Sequence, residues 1–245
     1  MRQRDYARAI ADFDKAIRLE ADAENYILRA GAREAAGDLD GAIRDYQEAS
    51  RREPKNVAAL HAQASIWRKK NDLDKAIALY DRAIAADQES ALTYRLRAEA
   101  YVAKGDRKRA YADVGRALKF SWTLNGLRVR GNLRLDDGDL DGALSDAEAI
   151  FKIEAENREA YALRGIARAR KKNYGPALAD LDQALKDDGK NALAFAERGQ
   201  IYLAKNEPDR ALEDFNRAID LGATGAAPYR ARATIYKNKG DSAKA

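Results

Sequence analysis

Cysteine is absent, which removes disulfides, thiolate metal ligands and thiol nucleophiles. Histidine occurs once, at His61. No second imidazole can join it in a zinc site, and a Ser/His/Asp triad would have to use it without a G-x-S-x-G motif to support it. No Walker or dinucleotide glycine loop is present. Enzymatic activity, a cofactor and a metal are therefore not expected. Proline occurs four times and glycine sixteen times in 245 residues, so helix breakers are few. No apolar run approaches the roughly 18 residues of a membrane span, and no membrane partner is expected. Charge of one sign is not concentrated either. The 45 basic and 40 acidic side chains, net +5, are mixed along the chain, with no run of five like charges. A dedicated nucleic-acid binder gathers its cations into a stripe with stacking aromatics, so RNA binding, suggested by the basic balance alone, stands third among the functional readings. The opening Met1-Arg2-Gln3-Arg4-Asp5 runs straight into an amphipathic pattern and shows no signal peptide,. A cytoplasmic location is the expectation.

What is abundant is alanine, and it recurs. Ala9-Ile10-Ala11-Asp12-Phe13, Ala42-Ile43-Arg44-Asp45-Tyr46 and Ala76-Ile77-Ala78-Leu79-Tyr80 are alike, and four similar segments begin at Ala110, Ala143, Ala177 and Ala211. The leading alanines are 33, 34, 34, 33, 34 and 34 residues apart, and Ala245 stands 34 beyond the last. Such a period means a stacked supersecondary unit that cannot bury its apolar face alone.

The period and spelling resemble the tetratricopeptide repeat (TPR) family. Tyr26, Ala30, Gly37, Ala42, Tyr46, Ala49 and Pro54 follow that family's pattern, as do Phe195, Gly199, Tyr202, Ala211, Phe215 and Ala218. The resemblance implies an all-α TPR solenoid, a right-handed superhelix of antiparallel helix pairs. It divides one array, 1–245, into a partial repeat at 1–22, full repeats at 23–56, 57–90, 91–123, 124–157, 158–191 and 192–225, and a partial repeat at 226–245. Asn71, Lys172 and Asn206 replace the turn glycine. Arg33, Arg134 and Arg168 stand where an aromatic is usual, and Ala147 and Ile150 replace an aromatic and an alanine. These departures put local packing in doubt.

Arginine recurs on the first helix, at Arg29, Arg97, Arg130, Arg164, Arg198 and Arg232, and aspartate on the second, at Asp12, Asp45, Asp113, Asp146, Asp180 and Asp214. One repeat loses both, with Gln63 and Leu79. Joint loss within one repeat points to structural pairs inside repeats: Arg29–Asp45, Arg97–Asp113, Arg130–Asp146, Arg164–Asp180 and Arg198–Asp214.

The resemblance further implies a protein-interaction scaffold that binds a peptide or protein segment on the concave face of its first helices. By position that face holds His61, Ser65, Arg68, Lys69, Arg95, Glu99, Arg128, Asn132, Asp136, Glu159, Arg170, Gln200, Arg230 and Lys237. Its basic lean over repeats three to five suggests an acidic or carboxylate-ending peptide; a solvated charged face is the plainer reading. A chaperone-tail clamp is incomplete, because Leu163, Leu193 and Glu197 stand where it needs Asn, Lys and Arg. The alternative function is a repeat region of a larger enzyme or regulator.

Asp137-Gly138-Asp139-Leu140-Asp141-Gly142 with Glu148 fits a calcium-loop spelling, but it is in phase with the repeat, so a turn is expected. Trp67 falls in the aromatic slot and reads as core. Trp122, at a junction one residue short, reads first as a plug between repeats and second as an exposed anchor. Uncapped solenoid ends suggest end-to-end self-association, and residues 238–245 are expected to be poorly ordered.

Overall fold

The computed structural model describes residues 3–187 and 189–238. Among the described residues there are fourteen α-helices and no strand. The chain divides into two compact units, Met1–Trp122 and Thr123–Ala245. The first contains α1 (Gln3–Leu19), α2 (Ala23–Ala36), α3 (Leu39–Arg52), α4 (Val57–Lys69), α5 (Leu73–Ala86), α6 (Ala91–Lys104) and α7 (Arg107–Phe120). The second contains α8 (Leu124–Asp137), α9 (Leu140–Ile153), α10 (Arg158–Arg170), α11 (Tyr174–Leu185), α12 (Ala192–Ala204), α13 (Pro208–Asp220) and α14 (Ala227–Asn238). Even-numbered helices are first helices of a pair and odd-numbered ones second helices, and each unit is a TPR-type stack. No described helix is long and apolar enough to cross a membrane.

Local chemistry sets the helix ends. Asp38, Asp72, Asp106 and Asp139 each accept a hydrogen bond from the backbone N–H three residues on, capping α3, α5, α7 and α9,. Asn56, Ser90, Thr123, Asn157 and Asn191 do the same for first helices. Gly37, Gly105 and Gly138 stop the preceding helices in the left-handed region, with φ of 88°, 81° and 79°,. A glycine stop followed directly by an aspartate start makes a two-residue turn. Asn71, Lys172 and Asn206 take the same conformation, with φ of 59°, 62° and 62°, so the turn survives loss of its glycine at a steric cost. Pro208 opens α13, where its missing N–H has no helical acceptor to lose,.

The segment with the calcium-loop spelling is one of these turns. Asp137 ends α8, Gly138 turns the chain and Asp139 caps α9 through Gly142 N. Asp141 is paired with Lys171 at 2.5 Å and Glu148 with Arg164 at 2.8 Å. Its carboxylates thus serve different neighbours.

Packing explains the alanine period. Ala42, Ala76, Ala110, Ala143, Ala177 and Ala211 are each the fourth residue of a second helix, and all are fully buried. Facing them, Ala30, Ala64 and Ala98 are equally buried. At Gly131, Gly165 and Gly199 an added Cβ would come within 2.5 Å of Leu163, 2.9 Å of Leu181 and 2.9 Å of Phe215. Small residues let these helices close up, and Tyr80 and Phe215 fill what remains. Trp67 packs on the core from its rim, with the Lys75 ammonium 4.0 Å from the ring centroid. Trp122, read first as a plug and second as an exposed anchor, is 56% exposed. The further copy expected at Ala245, and the poor order expected beyond Asn238, lie outside the described residues.

The turns give a paired test. Lys172→Gly should raise the unfolding free energy by roughly 0.5–1 kcal/mol by relieving a left-handed lysine, and Gly138→Ala should lower it by about 1 kcal/mol. Urea denaturation of both variants against the parent measures this.

Candidate functional site

Two constructions on the first helices compete for their charged side chains: a buried ion-pair ladder and an outward face. The ladder comes first because it consumes the most charge. Arg29, Arg97, Arg164 and Arg198 each present Nε and one Nη to both oxygens of an aspartate sixteen residues on. The Nη distances are 2.6 Å to Asp45, 2.7 Å to Asp113, 2.8 Å to Asp180 and 2.8 Å to Asp214. Arg130 reaches Asp146 at 2.6 Å in the same way. All five aspartates are buried. Bidentate pairing is the strong form of this contact, and a buried carboxylate requires it.

Two features of the ladder were not read from the sequence. The remaining Nη of Arg29, Arg97, Arg164 and Arg198 reaches back to the preceding second helix, meeting Asp14, Asp81, Glu148 and Asp182 at 2.6, 2.5, 2.8 and 2.8 Å. Arg232 reaches Asn216 at 3.0 Å in the same direction. The signal was an acid fifteen or sixteen residues upstream. In addition, Arg33, Arg134 and Arg168 do not disturb packing. They donate to the same aspartates, Asp45, Asp146 and Asp180, at 2.7, 2.8 and 2.6 Å. One helical turn separates each from its partner arginine, so both guanidinia converge on one carboxylate. Where Tyr101 and Tyr202 stand instead, Arg109 and Arg210 lie over the rings at 4.6 and 4.0 Å,. Hydrogen bonding to aspartate pushes the Arg29, Arg97, Arg164 and Arg198 guanidinia above their ordinary range, with burial opposing.

The outward face in the first unit runs over α4 and α6. His61 Nε2 lies 2.9 Å from Thr93 Oγ1, whose own hydroxyl donates to Ser90 Oγ at 2.8 Å. The imidazole meets the Tyr80 ring edge-on at 5.9 Å. Burial, helped by the nearby Arg95 charge, holds the His61 pKa below its ordinary value. Glu99 sits between Arg68 at 3.2 Å and Arg95 at 2.5 Å. Lys69 pairs with Glu34 at 2.7 Å, and exposed Ser65 lines a recess of ≈ 430 Å³ with Arg68 and Lys69.

In the second unit Arg128 pairs with Glu159 at 3.1 Å. Arg128, Asn132, Asp136 and Leu193 help line a recess of ≈ 360 Å³. Arg170 is held by Glu197 and the Leu135 carbonyl, both at 2.8 Å. Beyond it α12 and the start of α14 form a largely apolar recess of ≈ 450 Å³ with Ala192, Leu193, Ala196, Gln200 and Pro228. Exposed Leu193 belongs to both recesses. Arg230 and Lys237 are exposed on α14 and line neither. The basic lean expected of this face is therefore offset: Arg68, Arg95, Arg128 and Arg170 each face a glutamate supplied by the fold. The apolar floor around Leu193 was missed because the side chain entered the sequence reading only as a failed clamp position.

Ladder and face make separate predictions. Asp180→Ala, which strands Arg164 and Arg168 beside a vacated buried site, should cost about 3 kcal/mol. Asp12→Ala, at an exposed copy of the position, should change stability by no more than about 0.5 kcal/mol. Guanidinium-chloride unfolding separates the two. His61 generates a pH effect. Its folded pKa lies below the unfolded value near 6.5, so its stabilisation is present above that pH and is lost as pH falls through the folded value. The depressed carboxylates Asp40, Asp72, Asp106 and Glu207 start from 3.8 or 4.5 and titrate below that window. His61→Gln should thus flatten the fall in stability that sets in as pH drops below about 6.5, measured as urea midpoints of both proteins.

Comparison with known proteins agrees with this geometry. A sequence profile described as tetratricopeptide repeat matches residues 27–91 and 173–228. No curated protein matches significantly. A tetratricopeptide repeat protein from Parabacteroides merdae superposes with a TM-score of 0.73 at 21% identity, over 94% of this chain and 92% of that one. Cut9–Hcn1, an APC/C hetero-tetramer, gives 0.77 at 15% identity over 94% of this chain and 46% of that one. YrrB, described as a TPR protein with an unusual peptide-binding site, gives 0.55 at 22% identity over 76% and 97%. These identities carry the fold alone. The profile's two matches, the fourteen described helices and the alanine period in register identify tetratricopeptide repeats in both units.

Proposed function

We propose that this chain is a non-catalytic scaffold whose first-helix face in the second unit binds an extended or helical segment of a partner protein. TPR proteins are in general protein-interaction scaffolds, and YrrB is one described as having a peptide-binding site. The observation that carries the reading is Leu193. It stands 43% exposed where the recesses of ≈ 360 and ≈ 450 Å³ meet, on a floor of small apolar side chains. An apolar anchor of a partner can bury there while the polar rim, Asn132 and Gln200, meets its backbone.

The charge pattern refines the partner. Glu99 already occupies the space between Arg68 and Arg95 in the first unit, so an acidic segment must displace an internal carboxylate. The recesses of the second unit impose no such competition on an apolar side chain. The partner segment is accordingly apolar-anchored, with acidic residues secondary.

Peptides selected from a random displayed library against the whole chain test this. Leu193→Glu with Ala196→Glu should weaken the selected peptides about tenfold or more, the scale of a lost anchor, while Lys152→Glu on α9 leaves them unchanged. Selected peptides indifferent to the Leu193 and Ala196 changes would remove the reading.

A further inference from the structure

The second helices also differ from one another on their solvent sides. The exposed ionisable residues are of both signs on α3 (Asp40, Arg44), α5 (Asp74, Arg82), α9 (Glu148, Lys152) and α13 (Glu213, Arg217). On α7 they are Lys108, Arg109, Arg116 and Lys119, with no carboxylate. At 100° per residue these four fall within about 100° of the helix circumference, and Lys108 and Lys119 lie nearly in line, roughly 16 Å apart. Ala112 and Gly115 are exposed between them, and an added Cβ at Gly115 would meet nothing within 4 Å. A chain can therefore approach the helix closely between two pairs of cations. The periodic spacing is why no run of like charge betrayed this face in the sequence.

The cations are held differently. Lys108 and Lys119 have no ion pair among the described residues. Arg109 is partly offset by Asp106 at 2.6 Å. Arg116 meets no carboxylate among the described residues; it lies over the Tyr94 ring at 5.5 Å, with one nitrogen 3.5 Å from the phenol oxygen. Tyr94 is in turn stacked on Phe120, at 5.8 Å and 25° between planes. Phe120 is thus backed on one side and 40% exposed, and the more exposed Trp122 follows two residues on.

We infer that this face of α7, with Phe120 and Trp122 beyond its end, is a second binding surface and that it takes single-stranded nucleic acid. A polyanion satisfies the cations along the helix, and flat bases satisfy the aromatic platform at its end. A run of acidic side chains meets the first requirement and offers no flat rings for the second, whereas every nucleotide carries both. The surface lies on a second helix and is independent of the Leu193 recesses.

The test uses the whole chain and a fluorescein-labelled uridylate oligomer of about twelve nucleotides, read by anisotropy from about 50 to 200 mM salt. Binding should be measurable at the low end. Lys108→Glu with Lys119→Glu should weaken it about tenfold or more, and the companion Lys108→Gln, Lys119→Gln pair should lower the salt slope by about 1.4, two phosphate contacts at roughly 0.7 each. Trp122→Ala should weaken it roughly fivefold or more at constant slope, and Trp122→Phe should restore most of the loss. Lys55→Glu with Lys152→Glu makes the same charge change elsewhere and should have little effect. Circular dichroism melts establish that each variant is folded. No binding at low salt, equal loss in the Lys55 and Lys152 control, an unaltered Trp122→Ala, or polyglutamate of similar length binding as tightly would each overturn the assignment. None of these outcomes bears on the peptide recesses, which the Leu193 variants test separately.

Discussion

A carboxylate placed among packed helices must be matched by a cation with matching geometry, and much of this chain's order follows from that requirement. The solvation lost on burying Asp45, Asp113, Asp146, Asp180 or Asp214 is worth several kcal/mol per ion. Only a planar, permanently charged donor with two parallel N–H groups replaces it well. Arginine on the facing helix does this in all five cases, with Nη–carboxylate distances of 2.6–2.8 Å. Such a pair adds little net stability compared with apolar side chains of equal volume. It does penalise any slip of one helix along the other, because a slip strands both charges. The alanine contacts allow close approach, and the ion pairs select the register at which it occurs.

The fold was legible because its signals were repeated. Alanine every 33 or 34 residues, a turn glycine and a capping aspartate each recur several times, and periodic backbone geometry leaves them little freedom. The same-repeat arginine–aspartate pairs could be read from the single joint loss at Gln63 and Leu79. The backward reach to Asp81, Glu148 and Asp182 could not. Those acids are also ordinary solvent-side residues of a second helix, and only the three-dimensional course of the guanidinium distinguishes them. Arg33, Arg134 and Arg168 were misjudged for a related reason. A position known for aromatics was judged by size, whereas what it supplies here is a second donor. The candidate face was legible as positions but not as chemistry, because a list of exposed arginines omits the glutamates that fold back over them.

The molecule therefore presents two surfaces of different kind. Along the first helices charge is largely settled internally, and what remains to offer is shape and a floor of small apolar groups around Leu193. On the outer side of α7 the shape is plain and the charge is unsettled. The division follows from the architecture. First helices lie between neighbours on both sides, so their long side chains find partners. The outer rim of a second helix has fewer neighbours, and an acid left out there is not replaced.

The backward reach of the arginines also bears on how such an array can change length. A copy that carries one requires a hydrogen-bond acceptor on the copy before it as well as on itself, so the copies are not freely exchangeable parts. Gln63 is the exception: the positions sixteen before and sixteen after it are Gln47 and Leu79, so no arginine there ties one copy to the next. The boundary between α3 and α4 is bridged instead by the outer pairs Lys69–Glu34 and Lys70–Asp40, so joining different copies at that seam disturbs rim charges rather than a buried carboxylate.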